Sequence, residues 1–184
     1  MKFQYINDNE VSESLDTALR QLLSTCFVKN QDAQIFSKQR YYNEMPQHRY
    51  LLWQHAQLVA HIAVHEKEVI INNNPISICG IAEVCVHPEY RNQGFVKHLL
   101  EKIHLDRIKQ GDGFSVLFGD EEVYGSSGYR YVNNLKTLNP SLEWTVTEHT
   151  MVLSLNKDWP TGEVKLSGIP VLMLNNTNCI KYLI

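Results

Sequence analysis

The stretch "ICGIAEVCVHPEYRNQGFVKHLL", Ile78 to Leu100, decides the fold. From Ile76 to Val86 the chain is apolar on both alternating faces apart from Ser77 and Glu83, which is the pattern of a strand in the middle of a sheet. A turn with Pro88 follows. Phe95, Val96, Leu99, Leu100, Ile103 and Ile108 then fall at helical spacing, so a helix is predicted over about 93–109, ended by Gly111-Asp112-Gly113. Between strand and helix stands Arg91-Asn92-Gln93-Gly94. A helix start carries unbonded N–H groups and a partial positive charge, and a glycine there lets an anion approach the backbone closely. The segment Arg91 to Val96 is therefore a candidate phosphate cradle, although an isolated Arg-x-x-Gly is a common and weakly specific pattern.

Working outward, Val11, Leu15, Leu19, Leu22 and Cys26 keep mostly helical spacing and predict an amphipathic helix over roughly 11–26. From Arg49, the runs "RYLLWQ", "LVAHIAVHE", "VIINNNPIS" and "ICGIAEVCV" read as successive antiparallel strands, with a hairpin turn at 72–75. Downstream come a strand at Phe114 to Phe118, a short helix around Asp120 to Ser126, and strand-like runs near Tyr129 to Val132 and Thr150 to Leu155. The segment 159–184 alternates weakly and is not placed. No repeat or linker divides the chain, and the expectation is one domain over residues 1–184.

Lys and Arg number 17 against 20 Asp and Glu, for a net charge of -3, and no basic run occurs, so nucleic acid is excluded as the expected partner. The opening "MKFQYINDNE" has no apolar leader core and no later run approaches membrane-spanning length, so the expectation is a cytoplasmic protein without a membrane partner. Cys26, Cys79, Cys85 and Cys179 lack Cys-x-x-Cys spacing and read as reduced core residues. His61 and His65 lie in a strand-like alternation and "HEKEV" lacks the second histidine of His-Glu-x-x-His, so no metal is expected. The acidic Asp120 to Glu122 opens a helix, where such residues complement the dipole.

With the strand, the Pro88 loop, the Gly94 step and the downstream "VYGSSGYRYV", the chain resembles the GNAT superfamily of acyl-CoA-dependent N-acetyltransferases. The resemblance implies an α/β GNAT fold, a central mixed and mostly antiparallel sheet flanked by helices. It also implies acetyl-CoA as co-substrate, its diphosphate held by backbone amides of Arg91, Asn92, Gln93, Gly94, Phe95 and Val96. Val96 departs from the small residue usual in that motif. The resemblance further implies that the pantetheine arm lies beside the strand end and bonds the main chain around Val84, Cys85 and Val86, as an added strand would. Within the superfamily, "RYLLWQHAQLVAHIAV", "VCVHPEYRNQGFV" and "VYGSSGYRYV" are similar to segments of aminoglycoside 2′-N-acetyltransferases, whose relatives also tolerate valine at the place of Val96. In those relatives acidic groups of the tail help hold the amine; "NNTNCIKYLI" has none in its side chains.

Acetyl transfer needs a neutral amine, and deprotonating an alkylammonium of pKa about 10.4 at neutral pH costs roughly 4–5 kcal/mol, which calls for a nearby base, direct or through water. Glu83 is the candidate, as the one charged residue between Ile76 and Val86. The resemblance puts the strand carboxylate one residue farther from the arginine. By period-two alternation Glu83 then points to the opposite face unless a β-bulge re-aims it, and without a bulge it is a structural residue. Tyr124 matches the tyrosine that donates to the departing coenzyme A sulfur; read from its residues alone, it is equally an aromatic anchor for the short helix. Cys85 reads as apolar filler, so direct attack by a small-molecule primary amine is expected, with an aminoglycoside as the leading named acceptor. The competing readings are a non-catalytic acyl-CoA-binding or regulatory module and a transferase for a longer acyl donor. Self-association into a homodimer is left open.

Overall fold

A computed structural model of the chain describes residues 1–29, 31–139 and 141–167. They form two compact units, one made of residues 1–65 and 81–101, the other of residues 66–80 and 102–167.

In the first unit, β1 (Lys2–Asn7) pairs antiparallel with β2 (His48–Gln54), and β2 pairs antiparallel with β3 (Gln57–Ile71). Helix α1 (Glu13–Cys26) begins where the Ser12 hydroxyl accepts from the Leu15 amide, an N-cap that satisfies one of the free donors of the first turn. Its stripe of Leu15, Leu19, Leu22, Leu23 and Cys26 is buried with Phe27, with Phe36 of α2 (Asp32–Lys38), and with Leu51, Leu58 and Cys85 from the strands. Each fully buried leucine or phenylalanine side chain contributes about 1.5–3 kcal/mol of transfer free energy, so this cluster stabilises the helix on the sheet.

The sheet orders its strands β6-β9-β5-β4-β3-β10-β7-β8, and β3 and β4 have residues in both units. Their ranges are β4 (Asn74–Val86), β5 (Phe114–Phe118), β6 (Arg130–Tyr131), β7 (Leu135–Leu138), β8 (Trp144–Val146), β9 (Thr150–Ser154) and β10 (Val164–Leu166). The β4–β5 and β7–β10 ladders are parallel; β5–β9, β6–β9, β3–β10 and β7–β8 are antiparallel. Val69, Ile78, Phe114, Val116, Leu135, Val152, Val164 and Leu166 form the second unit's core. Helix α3 (Phe95–Gln110) and the single-turn α4 (Glu121–Tyr124) complete the elements.

The sheet is mixed and mostly antiparallel, and β4 lies inside it, as the apolar run implied. One correction concerns β3. The runs "LVAHIAVHE" and "VII" belong to a single strand ending at Ile71, and the reversal is a tight turn at Asn72 and Asn73, with φ of +50° and +64°. Two successive positive-φ asparagines give the turn whose twist suits a hairpin. Strands β1, β7, β8 and β10 and helix α2 were not anticipated.

Candidate active site

The helix-start loop carries two left-handed residues, Asn92 at φ +61° and Gly94 at φ +74°. A Cβ built on Gly94 would meet nothing within 4 Å, so the glycine is required by its φ and faces open space. Just upstream, Pro88 opens a single 3-10 turn that Tyr90 and Arg91 close by donating to the His87 and Pro88 carbonyls. Among the described residues, the N–H groups of Asn92, Gln93, Gly94, Phe95 and Val96 donate to no protein acceptor outside the helix, and the first capping bond runs from the His98 amide to the Gly94 carbonyl. Asn92, Gln93 and Gly94 are exposed, Val96 is half-buried and Phe95 is buried. Unbonded amides at the positive end of a 16-residue helix are the kind of group that suits an anion.

The strand β4 is kinked. Glu83 has φ +50°, a left-handed conformation inside a strand that breaks the period-two alternation. The sequence reading made the direction of Glu83 depend on a β-bulge; what the structure has at this residue is the positive φ. The carboxylate accepts from the Tyr42 amide at Oε1, 2.8 Å, and from Arg49 Nη1 at Oε2, 3.4 Å, with 7% of the side chain exposed. Burial pushes its pKa up to about 7, against the opposing pull of Arg49 and of the Tyr42 amide.

Sequence reading missed what surrounds it. Arg49 is fully buried; its Nε donates to Asp8 Oδ1, Nη1 also reaches His61 Nε2 at 3.1 Å, and Nη2 donates to the Arg40 carbonyl at 2.8 Å. Arg40 itself grips Asp8 through Nε at 3.0 Å and Nη2 at 2.6 Å. Burial alone would raise the Asp8 carboxyl, but the bonds from Arg40 and the charge of Arg49 outweigh it and hold the pKa below the ordinary value. His61, also fully buried, sets Nδ1 against the Glu83 carbonyl at 3.1 Å. Burial and then the Arg49 charge lower its pKa well below the ordinary value, so the ring is neutral. One tautomer serves both contacts: Nε2 accepts from Arg49 while Nδ1–H donates to the carbonyl. The available signal was an arginine and a histidine inside otherwise apolar strands, where an ionisable group needs a partner.

Val84, Cys85 and Val86 are buried at the end of β4. The Val86 carbonyl accepts from the Cys26 thiol at 3.3 Å and from Arg91 Nε at 3.4 Å, so Arg91 anchors the loop to the strand end. Cys26, Cys79 and Cys85 are free and buried, as expected; Cys179 lies outside the described residues. Cys85 is pushed well above the ordinary thiol value by burial and then by Cys26, which agrees with a filler and not a nucleophile.

Tyr124 stands in the second unit, at the end of α4, and is 4% exposed. Its ring meets Tyr129 edge-on, with centroids 6.1 Å apart, and lies so close to Gly119 that a Cβ there would come within 2.5 Å of ring carbon Cε2. Tyr129 in turn bonds Ser115 Oγ at 2.6 Å and His104 Nε2 at 2.9 Å. Among the described residues, no group of three or more His, Cys, Asp or Glu is placed to hold a metal ion. No described helix is long and apolar enough to cross a membrane.

A mixed sheet whose inner strand β4 runs through a glycine-bearing loop into helix α3 is the acyl-CoA N-acyltransferase fold. The chain belongs to the acetyltransferase (GNAT) domain family, matched over residues 9–132. Its fold is similar to the Escherichia coli GNAT family N-acetyltransferase YhbS solved in complex with CoA, at 18% identity and TM-score 0.65, covering 89% of this chain and 88% of that one. It is similar also to a GNAT family acetyltransferase from Brucella melitensis in complex with acetyl-CoA, at 17% identity and TM-score 0.60, covering 89% and 94%. A probable N-acyltransferase from Enterococcus faecalis V583 matches at 19% identity and TM-score 0.57 over 72% of this chain, which spans 33% of that protein's length. No curated protein matches the sequence.

Proposed function

We propose that the protein is an acetyl-CoA-dependent N-acetyltransferase acting on a small-molecule primary amine by direct attack on the thioester. The observation that carries this reading is the set of unbonded amides from Asn92 to Val96 at the start of α3, which offers a diphosphate the donors it needs. That two structures of similar fold are described as complexes with CoA and acetyl-CoA supports the choice of anion. Glu83 is the general base. A carboxyl with a pKa of about 7 exists half as base at neutral pH and still has proton affinity enough to draw a proton from an ammonium in the transition state. With 7% of the side chain exposed, a water carries the proton from the amine to it. Tyr124 is assigned to the departing sulfur, with the backbone of Val84, Cys85 and Val86 beside the pantetheine arm.

A second reading, acyl-CoA binding without transfer, is favoured by the depth of Tyr124, whose 4% exposure suits an aromatic anchor. One experiment separates them. Thiol release from acetyl-CoA is followed across an amine panel that includes aminoglycosides, chosen on the sequence similarity alone, and longer acyl-CoA donors, with Tyr124→Phe and Glu83→Gln alongside and binding measured by calorimetry. Amine-dependent thiol release lost in Glu83→Gln supports the transferase. Tight binding with no release under any acceptor supports the binding module. Absence of binding removes both.

A further inference from the structure

The groups that act on Glu83 come from several elements. They are Asp8 from the turn after β1, the Tyr42 amide from the segment after α2, Arg49 from β2, His61 from β3 and Cys85 from β4 itself. In register, Arg49 lies opposite Ala63 and Leu51 opposite His61, so Arg49 and His61 are diagonal neighbours on one face of the β2–β3 ladder. The guanidinium is not shared evenly. Asp8 takes the short contact through Nε and is doubly bonded by Arg40, whereas Glu83 receives Nη1 only at 3.4 Å. The carboxylate therefore has a cation in reach that a second carboxylate holds back.

We propose that Asp8, Arg49 and His61 are positioning residues for Glu83: Asp8 anchors the Arg49 guanidinium so that it reaches the carboxylate by one long contact only, and His61 locks the left-handed kink that aims it. The lock follows from geometry. Glutamate at φ +50° is disfavoured, and the kink persists only where its surroundings over-determine it. The Nδ1–H of a fully buried, neutral His61 holds the carbonyl of the kinked residue itself, and the Arg49 Nη1–H on Nε2 fixes the tautomer that makes this bond available.

This inference rests on the reading of Glu83 as the base, and its signature is a pair of opposite shifts. Removing the cation in Arg49→Met disfavours the ionised carboxylate, so the acid limb of the kcat–pH profile moves up by about one pH unit. Removing the competing charge in Asp8→Asn frees the guanidinium for Glu83, so the limb moves down by about half a unit. His61→Phe takes away the lock and lowers kcat about tenfold with KM for acetyl-CoA unchanged. His61→Gln, whose amide both donates and accepts, restores most of it.

The titration of Glu83 is read independently by NMR of carbon-13-labelled glutamate in the same variants, so that the two claims fail separately. An unchanged kcat in Glu83→Gln sinks the base assignment, while opposite carboxylate shifts in the NMR titration still establish the Asp8–Arg49 device. Loss of activity in Glu83→Gln with no titration shift in the variants, or shifts of the same sign, overturns the present proposal and leaves the base standing. If Arg49→Met does not fold, Asp8→Asn decides the sign and the His61 pair decides the lock.

Discussion

At the scale of single residues, Glu83 carries a measurable load on stability. Its carboxyl keeps its proton up to about pH 7 in the folded chain and ionises near the ordinary value of 4.5 when unfolded. Between those values the folded state binds more protons, so the Glu83 contribution to stability falls as pH rises through that window and is flat above it. The size is roughly 3 kcal/mol across the window. Glu83→Gln removes it, so the stability of the variant relative to the parent rises from pH 4.5 to 7 and then levels off; urea denaturation at pH 5, 6, 7 and 8 measures the difference, and parallel curves would refute it. A second residue effect belongs to Gly119. The space a Cβ would need is filled by the Tyr124 ring and by Leu117 Cδ1, 2.9 Å away, and a ring packed against Tyr129 has little room to swing. Gly119→Ala is expected to destabilise by about 1–3 kcal/mol. It is also expected to lower kcat to the level of Tyr124→Phe, with the calorimetric affinity for acetyl-CoA retained. A variant that keeps full turnover would show that Tyr124 is an anchor only.

Among the elements, the loop into α3 makes the sharpest demand on its sequence. Gly94→Ala meets no steric obstacle, so its cost is the left-handed φ, about 1 kcal/mol, and a modest loss of affinity from a methyl facing the ligand. Gly94→Asp adds a negative charge where the proposed diphosphate would sit and is expected to abolish acetyl-CoA binding by calorimetry while the thermal transition stays within a few degrees of the parent; retained binding would place the anion elsewhere. This element was legible because its signals are local: the apolar run of β4, the turn at Pro88 and the helical spacing of Phe95 to Ile108 all sit in one window. The stripe of α1 was legible for the same reason. Strands β1 and β8 were not, because they are largely exposed and offer no buried alternation, and α2 buries only Asp32 and Phe36 in a single short helix. The site divides along the same line. A helix-start loop announces itself by a glycine, but the kink at residue 83 rests on a glutamate, which carries no such mark. Its supports come from far along the chain, Asp8 and Arg49 being separated by 41 positions. Pairings of that kind are set by sheet register, and no local pattern records them.

For the molecule as a whole, each unit has its own apolar cluster, and the loop into α3 belongs to the unit built on α1, α2 and β2. A ligand held by native-state amides and absent from the unfolded chain stabilises by mass action, whatever its contribution to chemistry. At a hundred times its Kd, acetyl-CoA adds about 2.7 kcal/mol. For a chain of this size each kcal/mol moves Tm by roughly 2–4 °C, so a rise of about 5–10 °C is expected by scanning calorimetry. The control is chemical. S-acetylpantetheine keeps the thioester and the arm but lacks the diphosphate, and at the same concentration it should leave Tm unchanged if the amides of Asn92 to Val96 supply most of the affinity. Because those contacts are to a charged group at an exposed helix start, the acetyl-CoA shift should also shrink as salt is raised from 50 to 500 mM, the screening length falling from about 14 to about 4 Å. Equal shifts from both compounds, or a shift indifferent to salt, would mean that the arm and not the diphosphate is what the protein grips, and the helix-start loop would lose the role assigned to it.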